Sequence, residues 1–338
     1  MPAAIRLEIV LITVPTSPRC LILGASGFIG RHLVRRMADQ GLAVRAMSRS
    51  REPSFESPHV EWIAGNPLDP EAVGAVLEGC ESCVQLVTTT KPGTANGNMS
   101  YDISSNLINN VRIMQKLGQQ PDMKFVYLSS GGTVYGNPLY VPIKEAHPTE
   151  PFSSYGITKL AIEKYIQMFV RLNRFKASIL RVSNPFGEFQ SFTDGQGVVP
   201  TFLWKVLNRE AIEIWGDGLA VRDYIYVGDV CDAIIAALGY RGDKVVFNIG
   251  FGRGLSVLEI LKGIEETVGF STEVKHLDAR PTDVQVSVLD NTLAFEELGW
   301  TPQTSFYEGL ERTARWIERR WCSGSELSIQ PKQREQQF

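Results

Sequence analysis

Several features that would point directly to a function are missing from this sequence of 338 residues. The formal net charge is only −3, so we expect neither nucleic acid nor an anionic membrane as a partner. The five cysteines are an odd number, which fits a reducing compartment such as the cytoplasm better than a disulfide framework. Cys80 and Cys83 form a C-x-x-C without further Cys or His ligands nearby. We therefore expect no metal site and interpret both as core residues at the start of a strand.

A long apolar segment is also missing. The run Ile5–Val14 is interrupted by Arg6 and Glu8 and is too short to span a bilayer. Pro15 follows where the cleavage site of a signal peptide needs small residues. We interpret residues 1–17 as an N-terminal extension and residues 321–338, which are polar and rich in glutamine, as a tail.

The sequence does contain a regular alternation of short apolar runs and helical patterns. A strand at Cys20–Leu23 is followed by a helix at Phe28–Asp39 and a second strand at Ala43–Met47. This alternation predicts an α/β fold with a doubly wound parallel sheet over residues 18–185. Its remaining elements are strands at Val60–Ala64, Val84–Val87, Phe125–Ser129 and Ala177–Val182, and helices at Pro70–Leu77, Met99–Leu117 and Ser154–Phe169.

The pattern changes after Asn184, where glycine and aromatic residues become frequent and apolar runs become shorter. We expect residues 186–320 to form a smaller α/β substrate-binding region, from which some segments return to the first domain. Its predicted elements are helices at Gly197–Leu207 and Leu255–Val268, and strands at Phe247–Ile249 and Glu273–His276.

A glycine-rich turn joins the first strand to the first helix. Gly24, Gly27 and Gly30 allow a tight turn, a close approach of the backbone to a pyrophosphate, and close packing of the helix on the sheet. The helix start then presents free N–H groups and a partial positive charge to phosphate. The turn predicts a Rossmann dinucleotide site, with expected contacts from Gly24, Ser26, Gly27, Phe28, Ile29 and Gly30.

The end of the second strand bears on the choice of cofactor. NAD proteins commonly place an acidic residue there to hold the ribose hydroxyls, but Met47–Ser50 contains none. Arg49 would pair with the 2′-phosphate of NADP, unless it is a solvated surface residue. The sequence therefore leaves NAD and NADP open.

Tyr155 and Lys159 are four residues apart in a predicted helix, so they share one face. A free tyrosine has a pKa near ~10 and is a poor base at neutral pH. A neighbouring lysine and an oxidised nicotinamide both favour the phenolate. A tyrosine tuned in this way accepts a proton from a sugar hydroxyl while hydride leaves the same carbon.

From about Cys20 to Arg320 the sequence resembles the extended short-chain dehydrogenase/reductase family, in particular its nucleotide-sugar epimerases and dehydratases such as UDP-glucose 4-epimerase. The motifs that carry the resemblance are Gly24–Gly30, Ser129–Gly136, Tyr155–Lys159, Asn184–Gly187, Gly216–Gly218, Arg222–Ile225 and Arg280–Asp283.

The resemblance implies roles for individual residues. Tyr155 would be the acid/base, and Lys159 would tune it and bind the nicotinamide ribose. Arg222 would clamp the substrate diphosphate, with an ion pair to Asp223 as the alternative. The other implied residues are Asn66 and Asn106 for the cofactor, and Asn184 and Arg280 for the sugar nucleotide.

Two positions depart from the family pattern. The family usually has Ser or Thr where this chain has Gly131, so the hydroxyl that binds the reacting sugar oxygen would come from Ser130, Thr133 or water. The segment Gln85–Thr88 replaces a frequent His-x-Ala-Ala in the wall of the cofactor pocket.

The residues that accompany Tyr155 bear on the type of reaction. Related dehydratases carry an Asp-Glu pair beside a catalytic Thr, whereas the matching stretch of this chain, Gly131–Thr133, has no carboxylate. We therefore expect a UDP-hexose 4-epimerase that acts through a 4-keto intermediate, with surface-polysaccharide precursor synthesis as the expected pathway. Open alternatives are an NADP-dependent 4-ketosugar reductase, a dehydratase and, in another class, a non-catalytic dinucleotide sensor. The helices at Met99–Leu117 and Ser154–Phe169 carry surplus apolar positions and, by the resemblance, would form a homodimer interface of four helices.

Overall fold

A computed structural model describes residues 19–49, 55–120, 122–192, 197–279 and 284–321. The expected N-terminal extension, the tail beyond residue 321 and the candidate Arg280 lie outside these ranges. Within them, no helix is long and apolar enough to cross a lipid bilayer.

Seven parallel strands form the central sheet. They are β1 (Arg19–Leu23), β2 (Val44–Ser48), β3 (Val60–Ala64), β4 (Cys80–Gln85), β5 (Lys124–Ser130), β6 (Lys176–Val182) and β10 (Val246–Ile249). Their spatial order is β10-β6-β5-β4-β1-β2-β3. The direction of the strand order reverses between β1 and β4, and ligands of such sheets bind at the carboxyl ends beside this switch point. The predicted doubly wound α/β fold is thus confirmed.

Helices cover both faces of the sheet and bury its apolar side chains. One face is covered by α1 (Phe28–Asp39), α7 (Val227–Gly239) and α9 (Thr292–Leu298). The other is covered by α2 (Pro70–Ala75), α4 (Asn109–Leu117) and α5 (Ser154–Arg171). Because both faces are buried, the central strands are apolar along most of their length.

The remaining elements pack against the carboxyl edge of the sheet around a second core. Two small sheets contribute, one with four strands and one with two. The first consists of β7 (Asn184–Phe186), β9 (Val221–Tyr226), β11 (Gly254–Ser256) and β13 (Val286–Ser287), and the second of β8 (Ile212–Trp215) and β12 (Val274–Leu277). The helices of this region are α6 (Val198–Leu207), α8 (Val257–Val268) and α10 (Phe306–Trp321).

The predicted helix at Met99–Leu117 is helical throughout but not regular. A short α3 (Met99–Asp102) passes into a π-helical segment (Ile103–Ile108) before α4 begins. The strand predicted at Val84–Val87 begins earlier, at Cys80, so Cys83 is a buried residue in its middle.

Candidate active site

The glycine-rich turn lies at the switch point and forms a cradle for phosphate. Gly24 has φ +90°, a left-handed conformation that favours glycine. A Cβ on Gly30 would lie 2.2 Å from the carbonyl oxygen of Gly24, so α1 and the turn touch only because the side chain is missing. No side chain caps α1, and its first turn holds no acidic residue. Its free N–H groups therefore fit the pyrophosphate of a dinucleotide.

The expected contacts to the adenosine ribose lie on the neighbouring strands. Arg49 directly follows β2 and is exposed, and Asn66 lies two residues after β3. Because Ser48 of β2 is in register with Ala64 of β3, Arg49 and Asn66 leave the same edge of the sheet. The side chain of Asn66 accepts a hydrogen bond from the backbone of Leu68 at 3.1 Å, which shapes this turn.

Tyr155 and Lys159 lie in the first two turns of α5, which the Ser153 side chain caps through the Gly156 N–H. The Lys159 ammonium donates to the carbonyl oxygen of Leu128 in β5 at 2.7 Å and lies 5.7 Å from the centre of the Tyr155 ring. The predicted pair therefore shares one face of the helix, beside the carboxyl end of β5.

Burial dominates the titration of both groups. It raises the pKa of Tyr155 to about 12, and the charge of Asp102 adds to this rise. It lowers the pKa of Lys159 to about 8, against the opposing effects of Glu163 and Asp102. The protein alone therefore keeps the phenol protonated at neutral pH, and the phenolate requires a further positive charge beside the ring.

Asn106 lies in the π-helical segment and lines the same pocket as Tyr155 and Lys159. Its amide oxygen accepts from the Thr89 N–H at 3.0 Å, and its amide nitrogen donates to Thr90 and Asp102 at 3.0 and 2.9 Å. The side chain is thus held by the protein, and it shapes the pocket wall.

Asp102 is a site residue that the sequence analysis did not identify. It is completely buried, lines the same pocket, and lies four residues before Asn106. Two hydroxyl groups of α5, those of Ser154 and Thr158, donate to its carboxylate. The sequence offers no motif for Asp102 beyond its position four residues before Asn106, which places both on one face of the predicted helix.

The turn after β5 explains the departure at Gly131. A Cβ there would lie 2.5 Å from Cδ1 of the buried Leu289 and 3.0 Å from the carbonyl oxygen of Arg181. A serine or threonine therefore fits at this position only if the buried Leu289 side chain moves. Ser130 is partly exposed, whereas the Thr133 hydroxyl is fully buried and has no hydrogen-bond partner among the described residues.

The second departure from the family pattern, the segment Gln85–Thr88, contributes to the wall of the pocket that Tyr155 and Lys159 line. The buried Gln85 amide donates to Asn110 at 3.0 Å and accepts from the Val87 N–H at 2.9 Å. Val87 and Thr88 then line the pocket in front of Tyr155.

The candidate substrate residues lie on two paired strands of the smaller region. Asn184 of β7 is opposite Tyr224 of β9 and donates to the Asp223 carbonyl at 2.9 Å. Arg222 precedes Asp223, whose carboxylate accepts from the backbone of Phe251 at 2.8 Å. Successive strand residues face opposite sides, so Arg222 and the buried Asp223 carboxylate point apart.

The described residues contain no group of three or more His, Cys, Asp or Glu side chains that could hold a metal ion. Among the described residues, Tyr155 and Lys159 are a buried titratable pair that can exchange a proton, and they lie next to a cradle suited to a dinucleotide.

Comparison with known proteins identifies relatives over nearly the whole length. A profile of the family described as "NAD dependent epimerase/dehydratase family" matches residues 20–250. A UDP-glucose 4-epimerase of Mycolicibacterium smegmatis is 32% identical over 307 residues, or 88% of this chain and 98% of that protein. A dTDP-4-dehydro-6-deoxyglucose reductase of Escherichia coli is 30% identical over 306 residues, or 88% of this chain and 96% of that protein.

Solved structures are similarly close. UDP-glucose 4-epimerase of Thermotoga maritima, crystallised with UDP-glucose, has a TM-score of 0.84 at 32% identity and covers 89% of this chain and 99% of its own. UDP-glucose 4-epimerase of Thermus thermophilus in complex with NAD has a TM-score of 0.81 at 27% identity, covering 89% of this chain and 99% of its own.

Proposed function

The chain belongs to the NAD-dependent epimerase/dehydratase family, and from this premise we propose that it is a UDP-hexose 4-epimerase. The observation that carries the proposal is the Tyr155–Lys159 pair beside the phosphate cradle, with no carboxylate in the adjoining Gly131–Thr133 turn. Elimination of water needs an additional acid and base at that turn, whereas epimerisation needs only one group that takes and returns a proton.

When a dinucleotide is bound in the glycine-rich cradle, its nicotinamide would supply reversible hydride chemistry at the sugar carbon. Tyr155 would take the proton of the C4 hydroxyl as the hydride leaves, and would give it back after the hydride returns to the opposite face. Lys159, fixed on the Leu128 carbonyl, would stabilise the phenolate by its charge. It would also bind the ribose next to the nicotinamide.

We assign the additional hydroxyl for the sugar oxygen to Ser130. Lys159 is bonded to the residue two positions earlier on β5, and Ser130 is partly exposed at the end of that strand. The Thr133 hydroxyl has no accessible surface, so a sugar reaches it only after the side chain rotates. Ser130→Ala should therefore lower kcat by about 10-fold or more, and Thr133→Val should lower it less. The opposite order would assign the role to Thr133.

The proposed cofactor is NAD rather than NADP. The family is described as NAD-dependent, and the relative from Thermus thermophilus was solved with NAD. Arg49 is exposed, which suits a solvated side chain as well as a phosphate ligand. Denaturing the purified protein and identifying the released dinucleotide by mass decides between the two cofactors.

The diphosphate of the substrate is proposed to bind Arg222 and Arg280, with Asn184 next to the sugar nucleotide. A guanidinium is suited to two phosphate oxygens at once. Arg222→Met should raise KM for a UDP-sugar more than it lowers kcat, because diphosphate contacts are the same in the ground state and the transition state.

The assay for the reaction is incubation with a panel of UDP-sugars and chromatographic separation of the C4 epimers. Tyr155→Phe should lower the rate by at least about 10²-fold and leave dinucleotide binding intact. Unchanged activity in this variant would refute the proposal. If neither a UDP-sugar nor a 4-ketosugar is converted and Tyr155→Phe still binds the dinucleotide, the outcome favours a dinucleotide sensor.

A net 4-ketosugar reductase is the second candidate, because a reductase of Escherichia coli is 30% identical over 88% of the chain. The two reactions differ in their cofactor balance. An epimerase ends each turnover with its cofactor unchanged, whereas a reductase consumes one NAD(P)H for each product. Loss of the NADPH absorbance when a 4-ketosugar is added would favour the reductase.

We propose that the chain forms a homodimer through α3, the π-helical segment and α5. On α5 and its C-cap residue, the apolar side chains of Ile157, Tyr165 and Leu172 are exposed at 56%, 39% and 60%, and this spacing places them on one stripe. An exposed apolar stripe marks an association surface. Met168 is the other exposed apolar residue of this stripe on α5, and α3 and the π-helical segment expose Met99, Tyr101, Ile103 and Ile108.

Light scattering after size exclusion tests the dimer. The wild-type protein should elute as two chains, and Ile157→Glu should shift it to one. Leu139→Glu, which changes an equally apolar side chain that is 78% exposed elsewhere, is the matched control and should remain dimeric. A monomeric wild-type protein would refute the proposal.

The cytoplasm is the proposed location, because the four described cysteines are free thiols, as expected in a reducing compartment. Synthesis of surface-polysaccharide precursors is the proposed pathway class.

A further inference from the structure

Asp102 is a buried carboxylate, and the hydrogen bonds it accepts from described residues all come from neutral groups. Thr90 and Asn106 donate to one carboxylate oxygen at 2.6 and 2.9 Å. Ser154 and Thr158 donate to the other at 2.6 and 2.9 Å. Although burial opposes ionisation, these four hydrogen bonds hold the pKa of Asp102 below its ordinary value. Asp102 therefore carries a full negative charge at neutral pH.

The donors on α5 are the direct neighbours of the catalytic pair. Ser154 immediately precedes Tyr155, and Thr158 immediately precedes Lys159. Both hydroxyls bind the same oxygen of Asp102, so the carboxylate fixes the first turn of α5 to the end of α3. Any displacement of Asp102 would move the phenol and the ammonium together.

Asp102 also differs from the other carboxylate near Lys159, Glu163, in whether a cation is paired with it. Both Glu163 and Asp102 act electrostatically on Lys159. Glu163 is paired with the Arg181 guanidinium at 2.7 Å, with both groups buried. Among the described residues no cation is hydrogen-bonded to Asp102. The negative charge of Asp102 therefore acts on Tyr155 and Lys159 without a hydrogen-bonded cation that offsets it.

We propose that Asp102 is a positioning residue of this active site, which anchors the catalytic turn of α5 and supplies the negative charge that balances Lys159. The proposal rests on the proposed function, because it assigns Asp102 a part in the same proton transfer. Asp102 itself need not touch the substrate or the cofactor.

Removing the charge of Asp102 should shift the pKa values of its neighbours in a predictable direction. A nearby negative charge raises the pKa of every titrating neighbour, whether acid or base. The titrating and charged groups around the pocket are Tyr155, Lys159 and Glu163 on α5, Tyr127 on β5 and Arg181 on β6. Without the charge of Asp102, the pKa values of both members of the catalytic pair fall.

The experiment compares Asp102→Asn, which keeps the shape and removes the charge, with Thr90→Val. The second variant keeps the charge and removes one of the four hydrogen bonds to it, together with the bond that the Thr90 hydroxyl accepts from Asn106. The first measurement is the phenolate absorbance of Tyr155 in the NAD-loaded protein, taken as the difference from the same protein with Tyr155→Phe. Asp102→Asn should move this titration to lower pH by about one unit or more. Thr90→Val should leave it in place.

The second measurement is the pH profile of kcat/KM for UDP-hexose epimerisation. Both limbs should move to lower pH in Asp102→Asn, since the acid limb reports Tyr155 and the alkaline limb reports Lys159. A merely structural role would lower the height of the profile in both variants without moving it.

Unmoved titrations in a folded Asp102→Asn protein, or an equal shift in Thr90→Val, would overturn the proposal. Melting curves establish folding, and Asp102→Ser, which leaves room for a water among the donors, replaces an unfolded Asn variant. The phenolate titration needs no turnover. A shifted titration in a protein that converts no UDP-sugar therefore refutes the proposed function alone, and an unshifted titration in an active enzyme refutes the role of Asp102 alone.

Discussion

Restoring the hydroxyl that the family carries at position 131 should damage this protein rather than improve it. In Gly131→Ser the new Cβ would lie 2.5 Å from Cδ1 of Leu289 and 3.0 Å from the backbone oxygen of Arg181. Leu289 is 1% exposed and packs with Val134, Tyr135 and Ile143, so its side chain has little space to move. Such overpacking costs about 1–3 kcal/mol of unfolding free energy.

A double-mutant cycle in urea measures the origin of this cost. Leu289→Ala alone should lose about 2–5 kcal/mol, because it leaves a cavity. Gly131→Ser should cost much less in that background, since the serine occupies the vacated space, giving a coupling of about 1–3 kcal/mol. A Gly131→Ser protein that is as stable as wild type and turns over faster would refute both the packing argument and the assignment of Ser130.

Three further perturbations have expected outcomes. Arg181→Met should lower the unfolding free energy by about 3–5 kcal/mol, because it leaves Glu163 buried without its cation. As a control, Arg315→Met removes an exposed i,i+4 pair and should lower the unfolding free energy by no more than about 0.5 kcal/mol. Equal losses of the two variants in urea denaturation would contradict this. The rate of epimerisation should decline above a pH of about 8, as Lys159, whose pKa burial lowers to about 8, loses the charge that favours the phenolate. An alkaline limb that is unchanged in Lys159→Arg would show that another group titrates. Gly30→Ala should abolish dinucleotide binding or folding, because its Cβ would lie 2.2 Å from a backbone oxygen; a stable variant that retains the dinucleotide would disprove the close-approach argument.

Features with a strong local pattern were predictable from the sequence. The glycine-rich turn and the helix at Phe28–Asp39 follow from residues that are adjacent in the chain, and the predicted helix bounds equal the observed ones. The strand order does not follow from local pattern. That β10, from the second half of the chain, pairs with β6 is decided by long-range packing, which short apolar runs do not specify.

The residues of the candidate site also divide into those that local spacing predicts and those that depend on long-range packing. The spacing of Tyr155 and Lys159 is local, so the sequence placed both on one helical face. Asp102 is separated from Ser154 by 52 positions and carries no motif, and its role arises only when α3 and α5 pack together. The space around Gly131 likewise depends on Leu289, which belongs to a distant part of the chain.

The π-helical segment Ile103–Ile108 determines how α3 is rotated about the helix axis relative to α4. Each residue of an α-helix advances the chain by about 100° around the axis, and a π-helical turn accommodates one residue more than an α-helical turn. The segment therefore holds one residue more than a regular helix needs for the same rotation about the axis. If all of its residues were α-helical, everything before the segment would be rotated by roughly a quarter turn relative to α4. Asp102 would then point away from Ser154, although no side chain had been substituted. The π-helical geometry of this segment thus sets the angular phase at which the carboxylate meets α5.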